Sequence, residues 1–162
     1  GFGGGEHLAS LAEANPDIGF IGVEPFVNGV AALLPRVATL NNVRVHHGDG
    51  RDVMDILPSG SIARAFLLYP DPWPKLRHHN RRFVKAENID AIARVLAPVA
   101  RFHVASDIPD YVRHTQAHMG PRADFDGGTV ELKPWADWHS TRYEQKAFRA
   151  GRRGHYMTYT RA

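Results

Sequence analysis

The sequence predicts an α/β domain built on a doubly wound, mostly parallel sheet, and three observations carry that prediction. Short apolar runs alternate with segments of helical spacing, the pattern of successive strand–helix units. A glycine-rich stretch, Gly1-Phe2-Gly3-Gly4-Gly5, opens directly onto the first helical segment. An acid, Glu24, closes the first apolar run 19 residues after Gly5. With 162 residues, 43% of them apolar and 23% charged, the chain has material for one core and is too apolar for wholesale disorder. No repeat, linker or low-complexity stretch divides it, so residues 1–162 read as a single domain.

Leu8, Leu11 and Ala12 share one face of a helix over Glu6–Asn15, which Asn15-Pro16-Asp17 ends. Ile18–Glu24 (IGFIGVE) suits a buried parallel strand, apolar until its closing acid. A helix over Phe26–Leu40 follows, kinked or ended by Pro35. Val43–His47 is a strand leading into Gly48-Asp49-Gly50, and Val53–Leu57 is a short helix. Ile62–Tyr69 is a strand whose AFLLY run predicts a central position. Beyond a polar loop at 70–82 come a helix over Val84–Leu96, a strand over Val99–Ser106 and a helix over Tyr111–Met119. Periodicity is lost from Gly120 to Ser140. Tyr143–Ala150 reads as a last helix, and His155–Thr160 alternates like an edge strand.

Composition excludes several chemistries. The chain has no cysteine, which removes disulfides, thiolate metal sites and cysteine nucleophiles and makes the cytoplasm the expected location. No apolar run approaches the roughly 18 residues that span a bilayer, so no membrane association is expected. His114 and His118 stand at i,i+4, but without the glutamate of an H-E-x-x-H pair or a third ligand at suitable spacing, and no metal is expected. No serine sits in a nucleophile elbow. Charge points elsewhere. The net charge is only +3, yet Lys75, Arg77, Arg81, Arg82 and Lys85 occur together with no acid among them. Arg142, Lys146, Arg149, Arg152 and Arg153 form a second cluster opposed by Glu144 alone. Basic clusters on an otherwise acidic chain predict a polyanionic partner, nucleic acid first, with Arg81 and Arg82 against phosphates. The plainer alternative is a solvated loop and a solvated helix face. Trp135 and Trp138 suit either stacking on bases or covering the sheet.

The glycine loop carries the first chemistry. Glycines let the backbone pass close to a ligand, and an acid at the end of the next strand can accept from ribose hydroxyls. A dinucleotide site would want a third glycine where Glu6 stands, and an acid at a helix start opposes pyrophosphate. S-adenosylmethionine has no phosphate and a cationic sulfonium, so these acids favour it over NAD. Asp49, after the third apolar segment, is placed to reach the adenine. The second site is Tyr69-Pro70-Asp71-Pro72-Trp73-Pro74-Lys75, directly after a strand and therefore facing the crevice where α/β sheets bind ligands. Three prolines stiffen the loop, presenting Asp71 and Trp73 to the edge and face of a flipped base.

The segments GFGGGE, GVE, GDGRD, YPDPWPKLRHHNRR, ASD and TRYEQK together resemble the bacterial tRNA (guanine-N7-)-methyltransferase family, over essentially the whole chain. The resemblance implies a Rossmann-like class I methyltransferase fold and transfer of methyl from S-adenosylmethionine to a guanine of tRNA. It implies cofactor contacts at Gly1, Gly3, Glu24, Asp49 and Asp71, with Asp71 also catalytic. Lys75, Asp107, Thr141, Arg142, Tyr143 and Glu144 would contact tRNA. The family's acid two residues before the first glycine falls outside this sequence, so the resemblance implies a longer protein in which an N-terminal segment carries the first, central strand. The alternative expectation is a non-catalytic RNA-binding module on the same fold.

Overall fold

A computed structural model describes all of residues 1–162. The helices are α1 (Glu6–Ala14), α2 (Val27–Val37), α3 (Gly50–Ile56), α4 (Ala86–Val95), α5 (Pro109–Met119) and α6 (Arg142–Arg149). The strands are β1 (Phe20–Glu24), β2 (Val43–His47), β3 (Ile62–Leu68), β4 (Leu96–Ser106), β5 (Phe125–Gly127) and β6 (His155–Arg161). A 3-10 turn, Leu76–Arg81, occupies part of the segment expected to be loop. Pro35 lies inside α2, which continues to Val37. None of the helices is long and apolar enough to cross a membrane.

The strand pairing departs from expectation in the placement of β6 and β3. β1 pairs with β2, and β3 with β4, in parallel, but β6 runs antiparallel to both β4 and β5. The sheet is thus mixed. The order β3-β4-β6-β5 puts β6 inside the sheet instead of at an edge. Its alternation reflects two different covering layers: Tyr156 joins Leu68 and Ala105 on one face, and Met157 and Tyr159 join the main core on the other. β3, expected to be central, pairs only with β4, while β1 and β2 form a separate ladder. Gly1 and Phe2 lie between the two ladders: the Phe2 N–H donates to the Val23 carbonyl at 3.3 Å, and a Cβ on Gly1 would stand 4.0 Å from the Leu68 carbonyl.

The period-two alternation of the strands divides the core. Leu67, Phe102, Val104, Met157 and Tyr159 pack under α4 and α5 with Ile89, Ile92 and Tyr111. On the opposite face Phe66 and Tyr69 pack with Trp135 and Trp138 from the aperiodic segment. Trp135 donates to Thr158 Oγ1 at 2.9 Å, so both tryptophans cover the sheet. α4 passes into β4 without a loop, and the register shifts between Ile62 and Arg64. Exposed Val99 takes a left-handed φ of 61° at that irregularity, the local backbone feature of a bulge.

Candidate active site

The loops at the C-terminal ends of β1, β2 and β3 meet beside the glycine stretch, the crevice position favoured in α/β folds. Gly3 and Gly5 adopt φ of 61° and 78°, conformations that a side chain resists. The loop is also confined sterically. A Cβ on Gly3 would approach Tyr143 Cε2 to 2.6 Å, and one on Gly29 of α2 would stand 2.3 Å from the Gly3 carbonyl. α2 and α6 thus hold the loop between them. Glu24, only 1% exposed, accepts the Gly3 N–H at 2.7 Å through Oε2 and the Phe26 N–H at 3.2 Å through Oε1. The acid singled out as a ligand contact therefore also fixes the backbone of the glycine loop.

Asp49 caps α3, accepting the Arg51 N–H at 2.9 Å. Its carboxylate also receives the Arg51 guanidinium, with Nε 3.0 Å from both oxygens. That hydrogen-bonded pair holds the Asp49 carboxyl below its usual range. Asp49 and Arg51 line a cavity of about 380 Å³ with Trp73, Arg81, Arg82 and Lys85. The cavity joins the end of β2 to the proline-rich loop and the first basic cluster.

That loop takes left-handed conformations at two of its residues, φ 48° at Tyr69 and 42° at Trp73. Asp71 between them is exposed. The Arg81 guanidinium lies 5.0 Å from the Trp73 ring centroid, and Lys75 is exposed. Arg82 departs from the sequence expectation. It is 1% exposed, donates from Nε to the Pro72 carbonyl at 2.8 Å and pairs with Asp110 at 2.6 Å. Charge alone placed it with its exposed neighbour; burial removes it from the exposed surface.

The segment Thr141–Glu144 divides in the same way. Thr141 is the N-cap of α6, its Oγ1 accepting the Glu144 N–H at 3.2 Å, as the T-x-x-E spacing of a capping box allows. Glu144, 2% exposed, accepts from Tyr69 at 3.0 Å and from Trp138 Nε1 at 2.9 Å, and also from Tyr156 and Ser140. It is the centre of a buried polar network tying α6 to the entry of the proline loop. Burial and these neighbours push the Tyr69 hydroxyl far above its ordinary value. Arg142 and Tyr143 point the other way, onto the glycine loop: Arg142 lies 3.6 Å from Glu6, and Tyr143 covers Gly3. Asp107, at the end of β4, is held by Arg152 at 2.6 Å. Sequence reasoning left Arg51, Tyr69 and Tyr156 without roles; the capping-box spacing was the one visible sign that Thr141 and Glu144 serve the helix start.

Glu24, Glu6 and Tyr143 stand against the glycine loop. Burial raises the Tyr143 phenol, with Glu24, Asp71 and Glu6 adding to that shift and Arg142, 3.6 Å from Glu6, opposing it. Such a set of carboxylates fits a ligand carrying positive charge and repels a pyrophosphate. The cationic cavity beside it, walled by Trp73, fits an anionic partner with an aromatic ring.

A family model described as "Putative methyltransferase" matches residues 1–157. A tRNA (guanine-N(7)-)-methyltransferase from Ruegeria sp. (strain TM1040) is 60% identical over 99% of this chain, and that from Ruegeria pomeroyi 58% identical over 99%. The chain spans 65% of the length of the first and 70% of the second. Among solved structures, the 16S rRNA methyltransferase KamB superposes with a TM-score of 0.68 at 15% identity, covering 100% of this chain and 85% of that one. A SAM-dependent methyltransferase from Aquifex aeolicus gives 0.66 at 13% identity, covering 100% and 79%. These likenesses place the fold among methyltransferases of class I type, the Rossmann-like arrangement expected. At 58% identity over nearly its whole length to a relative of which it spans more than two thirds, the chain belongs to the tRNA (guanine-N7-)-methyltransferase family.

Proposed function

We propose that the protein methylates N7 of a guanine in tRNA, using S-adenosylmethionine, in the cytoplasm. The observation that carries this reading is the buried Glu24 carboxylate on the glycine loop together with the exposed Asp71, two residues before Trp73, which lines a cavity with Arg51, Arg81 and Lys85. S-adenosylmethionine, when bound, supplies an electrophilic methyl group on a positively charged sulfur. Gly1, Gly3, Glu24, Asp49 and Asp71 are the residues that would hold it, the glycines by close backbone approach and the acids by charge.

Guanine N7 carries an exposed lone pair, so no side chain has to remove a proton first. The chain's task is orientation, which can supply roughly 7–11 kcal/mol of a barrier. Trp73 offers a face for the base, and Arg81, Lys85 and Lys75 offer charge to the flanking phosphates. Methylation leaves the purine positively charged. Asp71, fixed between two prolines, stabilises that charge as it develops and accepts from the N1–H and exocyclic amine, which selects guanine over adenine. Asp71 acts by electrostatics and not as a general base. Arg142 and Tyr143, at the rim of the glycine loop, complete the RNA-facing surface in this reading.

Incubation with methyl-labelled S-adenosylmethionine and unmodified tRNA, then nucleoside analysis, tests the proposal. Label in 7-methylguanosine is the expected result. Tight tRNA binding without any transfer would instead support the non-catalytic RNA-binding module.

A further inference from the structure

We propose that Arg82 is the positioning residue of the Pro70–Pro74 loop, holding Asp71 and Trp73 in register with the reacting guanine. The proposal rests on the function proposed above, which puts Asp71 at that guanine.

The loop is poor in backbone donors of its own. Pro70, Pro72 and Pro74 have no N–H, and both Tyr69 and Trp73 sit in left-handed backbone conformations that L-residues avoid. What the loop does offer is carbonyl oxygens. Arg82 meets them from beneath: Nε donates to the Pro72 carbonyl at 2.8 Å, and a terminal nitrogen donates to the Trp73 carbonyl at 3.4 Å. These are the two residues that follow Asp71. The same guanidinium pairs with Asp110 of the first turn of α5 at 2.6 Å and lies 5.5 Å from the Tyr111 ring centroid. Arg82 stands in the wall of the cavity with Arg81 and Lys85, but only 1% of its surface is exposed and its guanidinium is committed to the loop carbonyls and Asp110. It links the loop to α5, so the position of Asp71 is set by the helix that follows β4.

A planar fork aims its donors at two carbonyls and a carboxylate in fixed directions; a lysine keeps the charge but not the fork. Displacing a catalytic loop by about 1 Å costs roughly a hundredfold in rate. Arg82→Lys should therefore lower the single-turnover rate of guanine methylation about a hundredfold at saturating S-adenosylmethionine and tRNA. Asp110→Asn, which frees the far end of the guanidinium, should lower it about tenfold. In Arg82→Ala, added guanidinium at tens of millimolar should restore part of the rate, whereas equal NaCl or urea should not. A thermal midpoint that falls while the rate per folded molecule stays within threefold of the parent would reduce Arg82 to a stability role and overturn the proposal.

A second readout does not need activity. The chain has three tryptophans, so 5-fluorotryptophan labelling gives three fluorine resonances, assignable with Trp73→Phe. Arg82→Lys and Asp110→Asn should each shift or broaden the Trp73 line while those of Trp135 and Trp138 stay in place. An unmoved Trp73 line in both variants overturns the positioning role. A parent enzyme that transfers no methyl to tRNA while the Trp73 line responds would sink the proposed function and leave the loop clamp standing.

Discussion

The carboxylate of Glu24 holds the backbone of Gly3, its Oε2 accepting the Gly3 N–H at 2.7 Å. A residue expected only to meet the cofactor is therefore also the pin of the loop that surrounds it. Glu24→Ala strips acceptors from the Gly3 and Phe26 N–H groups, and each buried unsatisfied donor costs about 1–3 kcal/mol. The urea midpoint should fall, and S-adenosylmethionine binding should weaken roughly ten- to hundredfold. Glu24→Gln retains one acceptor oxygen and should recover stability more fully than binding. An unchanged midpoint in Glu24→Ala would return the residue to a ligand contact alone.

Glu144 should behave as a fold residue. Its two oxygens accept from Tyr69, Tyr156, Trp138 and Ser140. Glu144→Gln turns one oxygen into a donor that faces other donors, at a cost of about 3 kcal/mol. Urea unfolding should register that loss, while the salt dependence of tRNA binding by the folded fraction stays at the parental slope. Full stability with lost tRNA affinity would make Glu144 a direct RNA contact.

His7 and His103 predict acid sensitivity. They are 3% and 2% exposed, and burial pushes each down to about 4, with Arg64 adding to the shift at both. In the unfolded chain they titrate near about 6.5. Between those values the unfolded state binds protons that the fold refuses, so stability is complete above about pH 6.5 and declines toward about pH 4. At pH 5 each histidine should cost about 2 kcal/mol. Urea midpoints at pH 7.5 and pH 5 measure this, and His103→Gln should reduce the difference by about half. Equal midpoints at the two pH values would contradict it.

Asp71 should show the reverse pattern to Glu144. It is exposed, so Asp71→Asn should change stability by no more than about 0.5 kcal/mol. Losing one preorganised electrostatic contact at the transition state costs about 2.7–4 kcal/mol, or roughly a hundred- to a thousandfold in rate. Single-turnover measurements at saturating cofactor and tRNA isolate that effect. A rate within threefold of the parent would remove Asp71 from the chemistry.

The parts of this molecule that were legible in the sequence are those set by local pattern. The Ile62–Leu68 strand and the Glu6–Ala14 helix follow from apolar period, and the glycine loop from residues that φ values of 61° and 78° require. What was hidden depends on partners distant in sequence. β6 alternates like an edge strand because its two faces meet different layers, and nothing local tells a pattern of faces from a free edge. Three-residue β5 is too short to show a period. Arg81 and Arg82 look equivalent as charges, yet one lies over Trp73 and the other is buried under Pro72. The prolines did hold a clue, since a five-residue loop that lacks three of its N–H groups leans on donors from elsewhere.

The central claim concerns one atom, and a pair of tRNA transcripts tests it. One carries guanosine and the other 7-deazaguanosine, in which carbon replaces N7 and the lone pair is gone. With methyl-labelled S-adenosylmethionine, the first should yield label solely in 7-methylguanosine, and the second should bind but take up none. Label in another nucleoside of the first transcript, or comparable label in the deaza transcript, would contradict the account.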